Sequence, residues 1–276
     1  MNNFLDAASN GGRNPASADE AGPFPPGFDG SRTNGQIRTA DGTCRVSIFR
    51  PEAPGPWPAV IMYMDGIGPR PALFEMGERL AAGGYYVLLP DLFYRLGPYE
   101  TPPFAIFADP KRCQHWMDKY IGSANQANAM RDTRAFLDFL SAQPEVKQPR
   151  VGTTGYCMGG GLALAAAAFF PDRVVAAASF HGGWLVTGST DSPHLLAPKI
   201  RARVYVAGAV EDDSFTDEAK RQLEEALAHA GVDHTVVTYE GARHGFVPSD
   251  HPQHDPAAAE RHWKALIELL DGTLKA

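Results

Sequence analysis

One cysteine, a pair of adjacent aspartates and one histidine fall at places in this 276-residue chain where acyl-transfer chemistry is easily arranged. Cys157 lies in Gly155-Tyr156-Cys157-Met158-Gly159, a G-x-nucleophile-x-G pattern with cysteine where serine is more usual. Residues 150–156 read as a short buried strand, and residues 158–170 as an Ala-rich apolar helix. A strand that turns so sharply into a helix leaves one side chain projecting at the apex. Its neighbours must be small enough to let strand and helix approach, as Gly155 and Gly159 are. The apex is also a helix N-terminus, whose positive dipole end favours a thiolate. Asp212 and Asp213 follow another predicted strand in A-G-A-V-E-D-D-S-F-T, and His244 follows the last one in A-R-H-G-F. A thiolate that attacks an acyl carbon, an imidazole that moves the proton and an acid that orients the imidazole would form a working set.

The elements around these residues must bring them together. Gln36–Ala40 and Cys44–Arg50 read as strands joined by the turn Asp41-Gly42. Ala59–Met64 is a continuous apolar run of strand length, as expected for a strand covered on both faces, and it leads into the polar loop Asp65–Arg70. A helix is expected over 71–82, a strand over 85–90, and a helix over 123–143 with Ser123 as a candidate N-cap. Further strands are expected at 174–180, 202–209 and 234–239. Helices are expected over 216–230 and from Asp255-Pro256 onward, the latter with an N-cap and a proline at the first helical position. Strands alternating with helices predict an α/β fold, a mostly parallel central sheet with helices on both faces, in one domain over 36–276. Residues 1–35, rich in Asn, Gly, Pro and Ser, read as a flexible extension. Residues 92–122 lack a clear period and read as an irregular insertion that forms a pocket wall or lid.

Ligands bind open α/β sheets beyond the carboxyl ends of the strands. The residues expected there are Asp65-Gly66, Cys157, His181, Glu211-Asp212-Asp213 and His244. The order nucleophile, acid, histidine is that of the α/β-hydrolase triad, in which the backbone N–H after the nucleophile and one from the loop after the third strand form the oxyanion hole. Here those donors are Met158 and Gly66. Tyr94, His181 and Trp184 are candidate pocket walls, and Arg70, Arg95 and Arg243 are candidate cations. His251 and His254 are expected at the surface.

Composition narrows the partners. A hydrophobic content of 44%, a charged content of 21% and a net charge of −7 describe a globular chain that is a poor match for nucleic acid or an anionic membrane surface. Cys44, Cys113 and Cys157 are far apart and contain no C-x-x-C pair, so neither a disulfide framework nor a cysteine metal site is expected. A free Cys157 suits a reducing compartment, and the N-terminus lacks the basic and apolar regions of a secretory signal; a cytoplasmic location is the expectation.

With G-Y-C-M-G-G, A-G-A-V-E-D-D-S-F-T and A-R-H-G-F in place, the chain resembles the dienelactone hydrolase family over nearly all of residues 36–270. The resemblance implies a single-domain α/β-hydrolase fold and a Cys-Asp-His triad. It also implies hydrolysis of a small ester or lactone, of the carboxymethylenebutenolidase type, through a thioester, with no metal and no cofactor. Position by position it assigns the nucleophile to Cys157 and the base to His244. Counting back four residues from Thr216 assigns the acid to Asp212, with Asp213 as the rival. The family's glutamate after the third strand, which contacts the thiol, corresponds to Asp65. The family's arginine after the histidine has no counterpart, because Gly245-Phe246-Val247-Pro248 follows His244. Asp65, Tyr94, Arg95, His181 and Trp184 are thereby the candidate thiol-tuning or substrate-binding residues. A hydrolase-fold protein that only binds its ligand, or a thiol redox sensor built on Cys157, is the alternative.

Overall fold

A computed structural model describes residues 32–276. Eight strands form one sheet in the order β1-β2-β4-β3-β5-β6-β7-β8, where β1 is Arg32–Thr39, β2 Gly42–Phe49, β3 Trp57–Tyr63, β4 Tyr86–Pro90, β5 Val146–Tyr156, β6 Val174–Phe180, β7 Arg203–Ala209 and β8 His234–Tyr239. β1 pairs antiparallel with β2, and β2 with β4; every pair from β4 to β8 is parallel. The strand expected to begin at 36 begins at Arg32: Arg32–Gly35 pair with Val46–Phe49, so the extension read over 1–35 overlaps the sheet by four residues. The rest of that extension lies outside the described residues.

The parallel strands are apolar because they are covered twice. Residues Pro58–Tyr63 of β3 are all buried, and an alternating pattern there would place polar groups under a helix. The helices are α1 Pro71–Ala82, α2 Pro110–Trp116, α3 Gln126–Ser141, α4 Met158–Phe169, α5 Asp217–His229 and α6 Pro256–Leu270. The β3-α1-β4 unit steps along the sheet in one direction, whereas β5-α4-β6 and β7-α5-β8 step in the other. Right-handed crossovers therefore put α1 on the face opposite α4 and α5. α6 joins α1, with Arg79 paired to Glu260 and lying over the Trp263 ring. α4 is buried on nearly every side, from Met158 to Ala168. Its glycines and alanines let it sit close on β5 and β6.

Two local expectations are corrected. The helix expected from Ser123 starts at Gln126, capped by Asn125, whose side chain accepts from the Asn128 N–H at 3.0 Å. Ser123 instead donates to the Tyr120 carbonyl at 2.7 Å, inside a run of irregular turns. The 92–122 insertion also contains a real helix, α2, whose N-cap Asp109 accepts from the N–H groups of Lys111 and Arg112. The D-P-K-R signal for that cap was present in the sequence, but only two turns of helix follow it. Among the described residues no helix is long and apolar enough to cross a membrane.

Candidate active site

Cys157 occupies the junction of β5 and α4 with φ 54° and ψ −119°, a conformation that L-residues rarely adopt. The close approach of strand and helix explains the flanking glycines. A Cβ on Gly155 would run into the Gly159 carbonyl, and one on Gly159 would lie 2.5 Å from the carbonyl oxygens of both Tyr63 and Met64. The elbow is held by its own backbone. The Cys157 N–H donates to the Phe180 carbonyl at 3.3 Å, and the Cys157 carbonyl accepts from Gly160 and Gly183, each at 3.1 Å.

The other strand-end loops are stitched to this one by main-chain bonds. His181 N–H donates to Ala207 O and Trp184 N–H to Ser214 O, each at 2.8 Å; Val210 N–H donates to Ala242 O at 2.9 Å. These bonds set the turn after β7 beside the turn after β8. There His244 Nδ1 lies 2.8 Å from Asp212 Oδ2. The other carboxylate oxygen accepts from the Ser214 hydroxyl at 2.6 Å and the Ser214 N–H at 2.9 Å. Asp212 is buried, whereas Asp213 is exposed. Sequence reasoning did not find Ser214, a common turn residue whose role depends on a side chain two positions earlier.

Electrostatics tie the three groups together. Burial opposes a charged imidazole at His244, but Cys157, by charge and as a hydrogen-bond partner, and Asp212 outweigh it and raise the His244 pKa to about 10. Burial would also raise the Asp212 pKa. The bonds from His244 and Ser214 win and hold it below the usual carboxylate value.

Cys157, Asp212 and His244 open onto one cavity of about 610 Å³. Four non-glycine residues with positive φ occur among the described residues, and Cys157, His181, Trp184 and Glu211 all line this cavity. Such backbone strain gathers where side chains must be aimed at a ligand. Trp184 is 43% exposed at the mouth. His181 is buried with both ring nitrogens unpartnered, edge-on to the rings of His244 and Phe246 at 5.3 and 5.1 Å. Burial, and then the neighbouring histidines, hold its pKa well below the usual value, so the ring is neutral.

The 92–122 segment builds the opposite wall, contributing Phe104, Phe107, Cys113, Met117 and Ile121. It is anchored by aromatic packing: Trp116 stacks on Tyr120 at 3.8 Å, and Phe93 meets both edge-on. The Trp116 indole N–H donates to the Gly66 carbonyl at 2.7 Å, which fixes the loop after β3. His251, expected at the surface, is in the cavity wall under the Phe104 ring, with 4.7 Å between ring centres. Burial lowers its pKa to about 4, with Asp65 opposing and His244 and Arg70 reinforcing the shift. The sequence separation between Phe104 and His251 hides that contact.

Other candidates fall elsewhere. Asp65 lines the cavity, but its Oδ1 accepts from Arg70 Nη1 at 2.8 Å and from the Ile67 N–H at 3.0 Å. Arg70 is buried and also binds Asp250 through Nε and Nη2 at 2.7 and 3.0 Å. Tyr94 and Arg95 are not brought to Cys157. The 3₁₀ turn that carries them folds them against α3, where both bind Asp132. Arg243 lies 3.7 Å from Glu211 as a surface pair. Cys44 is fully buried; burial, then Asp91 and Asp132, raise its pKa well above the usual thiol value. No group of three or more His, Cys, Asp or Glu side chains among the described residues is placed to hold a metal ion.

Comparison with known proteins gives the same outline. The model of the dienelactone hydrolase family matches residues 44–274. A Synechocystis sp. protein provisionally named carboxymethylenebutenolidase is 28% identical over 83% of this chain and 91% of its own. The carboxymethylenebutenolidase of Rhodococcus opacus is 27% identical over 77% of this chain and 80% of its own. Among solved structures, a Klebsiella pneumoniae protein described as a dienelactone hydrolase superposes with a TM-score of 0.76 at 22% identity, covering 86% of this chain and 97% of its own. A dienelactone hydrolase-like promiscuous phosphotriesterase from metagenomic libraries superposes with a TM-score of 0.70 at 26% identity, covering 88% and 99%.

Proposed function

Since this chain belongs to the dienelactone hydrolase family and folds as an α/β-hydrolase, we propose that it hydrolyses a small ester or lactone through a thioester on Cys157. The observation that carries this reading is the strained Cys157 elbow facing a cavity shared with the Asp212–His244 pair. Attack starts from the Cys157 thiolate beside the His244 imidazolium, the pair formed when the thiol proton passes to the imidazole. The sulfur attacks the acyl carbon, and the carbonyl π electrons move to oxygen. The N–H groups of Met158 and Gly66 stabilise that oxyanion. Met158 is the first residue of α4, so its N–H has no acceptor within the helix. Collapse of the intermediate breaks the C–O bond, and the alcohol leaves with the His244 proton.

Neutral His244 then removes a proton from water, which attacks the thioester. The carboxylic acid leaves, and thiolate and imidazolium are restored. Asp212 keeps His244 Nδ1–H directed inward, so Nε2 is the atom that exchanges protons. A small-molecule ester fits the cavity volume.

The test is turnover of p-nitrophenyl acetate and simple lactones by the parent, Cys157→Ser and His244→Ala, with mass spectrometry of the protein during turnover. An acyl adduct on the Cys157 peptide that accumulates in His244→Ala is the expected result. Equal turnover by parent and Cys157→Ser would overturn the reading.

A further inference from the structure

The charges around the cavity are one-sided. Its lining includes the carboxylates Asp65, Glu211, Asp212 and Asp213, and among the described residues no lysine or arginine. The guanidinium behind Asp65, that of Arg70, is 5% exposed and spends its donors on Asp65, Asp250 and the Gly68 carbonyl. The Phe104 ring lies 5.2 Å from it, on the cavity side. One guanidinium between two aspartates leaves a negative charge uncompensated. Arg243 reaches Glu211 only across 3.7 Å of exposed surface, and Asp213 faces solvent. Burial keeps His181 and His251 neutral, so His244 is the one imidazolium in the wall, and it is already paired with Asp212. Beside Ser214 and Gln253, the rest of the wall is mainly apolar, from Phe107, Met117 and Ile121 to Trp184 and Pro252.

We propose that this cavity selects esters whose acyl group is apolar and neutral or cationic, and rejects acyl groups that carry a carboxylate. The proposal rests on the ester-hydrolase reading of the same site. A carboxylate seated here would leave water for a wall whose one cation, the His244 imidazolium, is already paired with Asp212, and which adds several like charges. A neutral chain loses nothing, and a quaternary ammonium gains both the acidic rim and the exposed Trp184 face.

The test uses three p-nitrophenyl esters of nearly equal shape: 6,6-dimethylheptanoate, 5-(trimethylammonio)pentanoate and the adipate monoester. The adipate ester is expected to show a kcat/KM lower than that of the other two by about tenfold or more at low ionic strength. Added salt should narrow the gap, and so should the double variant Glu211→Gln/Asp213→Asn. Adipate hydrolysis as fast as that of the neutral ester, or a gap that salt does not change, would overturn the proposal. A second readout needs no turnover. In a Cys113→Ser background, the trimethylammonium-ethyl methanethiosulfonate should label Cys157 faster than the sulfonatoethyl reagent, after normalising to a small free thiol; equal normalised rates would overturn the proposal. Failure to hydrolyse any of the three esters, with that labelling preference intact, would remove the hydrolase reading and leave the charge selection standing.

Discussion

Asp212 and Asp132 are both buried carboxylates that accept from one hydroxyl and one nitrogen base. For Asp212 these are Ser214 and His244. For Asp132 they are Tyr94 at 2.8 Å and Arg95, which binds both carboxylate oxygens at 2.7–2.8 Å. The sets differ in what lies beyond the base. Arg95 continues to Asp41, which also holds Arg131, so the network closes on itself and ties the β1–β2 turn to α3. His244 instead faces Cys157 and the cavity. Arginine also cannot give up its proton in a protein, whereas histidine can. Similar hydrogen-bond chemistry therefore makes a closed clamp at one site and, in the proposed mechanism, a proton carrier at the other.

The largest effect that would test this division is expected from Cys157→Ala. It should lower kcat/KM by at least about a thousandfold, because nothing else in the cavity replaces the nucleophile. Cys44 cannot, since it is fully buried away from the cavity. Residual activity near the parent level would move the chemistry elsewhere. Asp212→Asn comes next, with a loss of about a hundredfold or more in kcat, because the amide no longer fixes the imidazole tautomer. Substrate binding should change little, so KM is the control measurement. An equal loss from Asp213→Asn would mean that the wrong acid has been paired with His244.

Asp132→Ala is the counterpart in the closed network. Removing a buried partner leaves Arg95 and Tyr94 with unmet donors, which costs about 3 kcal/mol in a denaturant titration. The kcat of the folded fraction should stay within about twofold of the parent. If turnover collapsed while stability held, Tyr94 and Arg95 would belong to the substrate site after all.

Those two residues also show where sequence reasoning stops. The succession of strands and helices, the elbow and the His244 loop were legible because each rests on a local signal: an apolar run, a pair of glycines, a histidine just past a strand. Residues near a strand end need not face the pocket, however. Pro90 ends β4, and the next turn swings Tyr94 and Arg95 beneath the hairpin, where Asp132 supplies a charge from 37 positions further on. His251 erred in the opposite direction. A polar loop residue looks solvent-bound until Phe104, 147 positions earlier, covers it. The extra helix α2 was hidden by its length, too short to show a period. Long-range side-chain partners, together with one element too short to show a period, were the missing information.

The finest comparison of the two networks is through pH. The His244 pKa is raised to about 10; burial opposes this, and Cys157 and Asp212 outweigh it. A base raised on folding stabilises the native state fully below its unfolded value of about 6.5, and that contribution is lost as pH climbs through about 10. Asp212 is shifted down, so its contribution is present above the unfolded value of about 3.9 and lost as pH falls through its lower folded value. The urea midpoint of the parent should therefore fall between pH 6 and pH 10. In Cys157→Ala the largest support for the imidazolium is gone, and the curve should flatten over the same interval. Asp132→Ala should lower the midpoint at every pH and leave the parent's slope in place, because the arginine it faces does not titrate there. Parallel curves for parent and Cys157→Ala would show that the sulfur and the imidazole do not share a charge in the resting enzyme, and His244 would then be an ordinary neutral base waiting for a thiol.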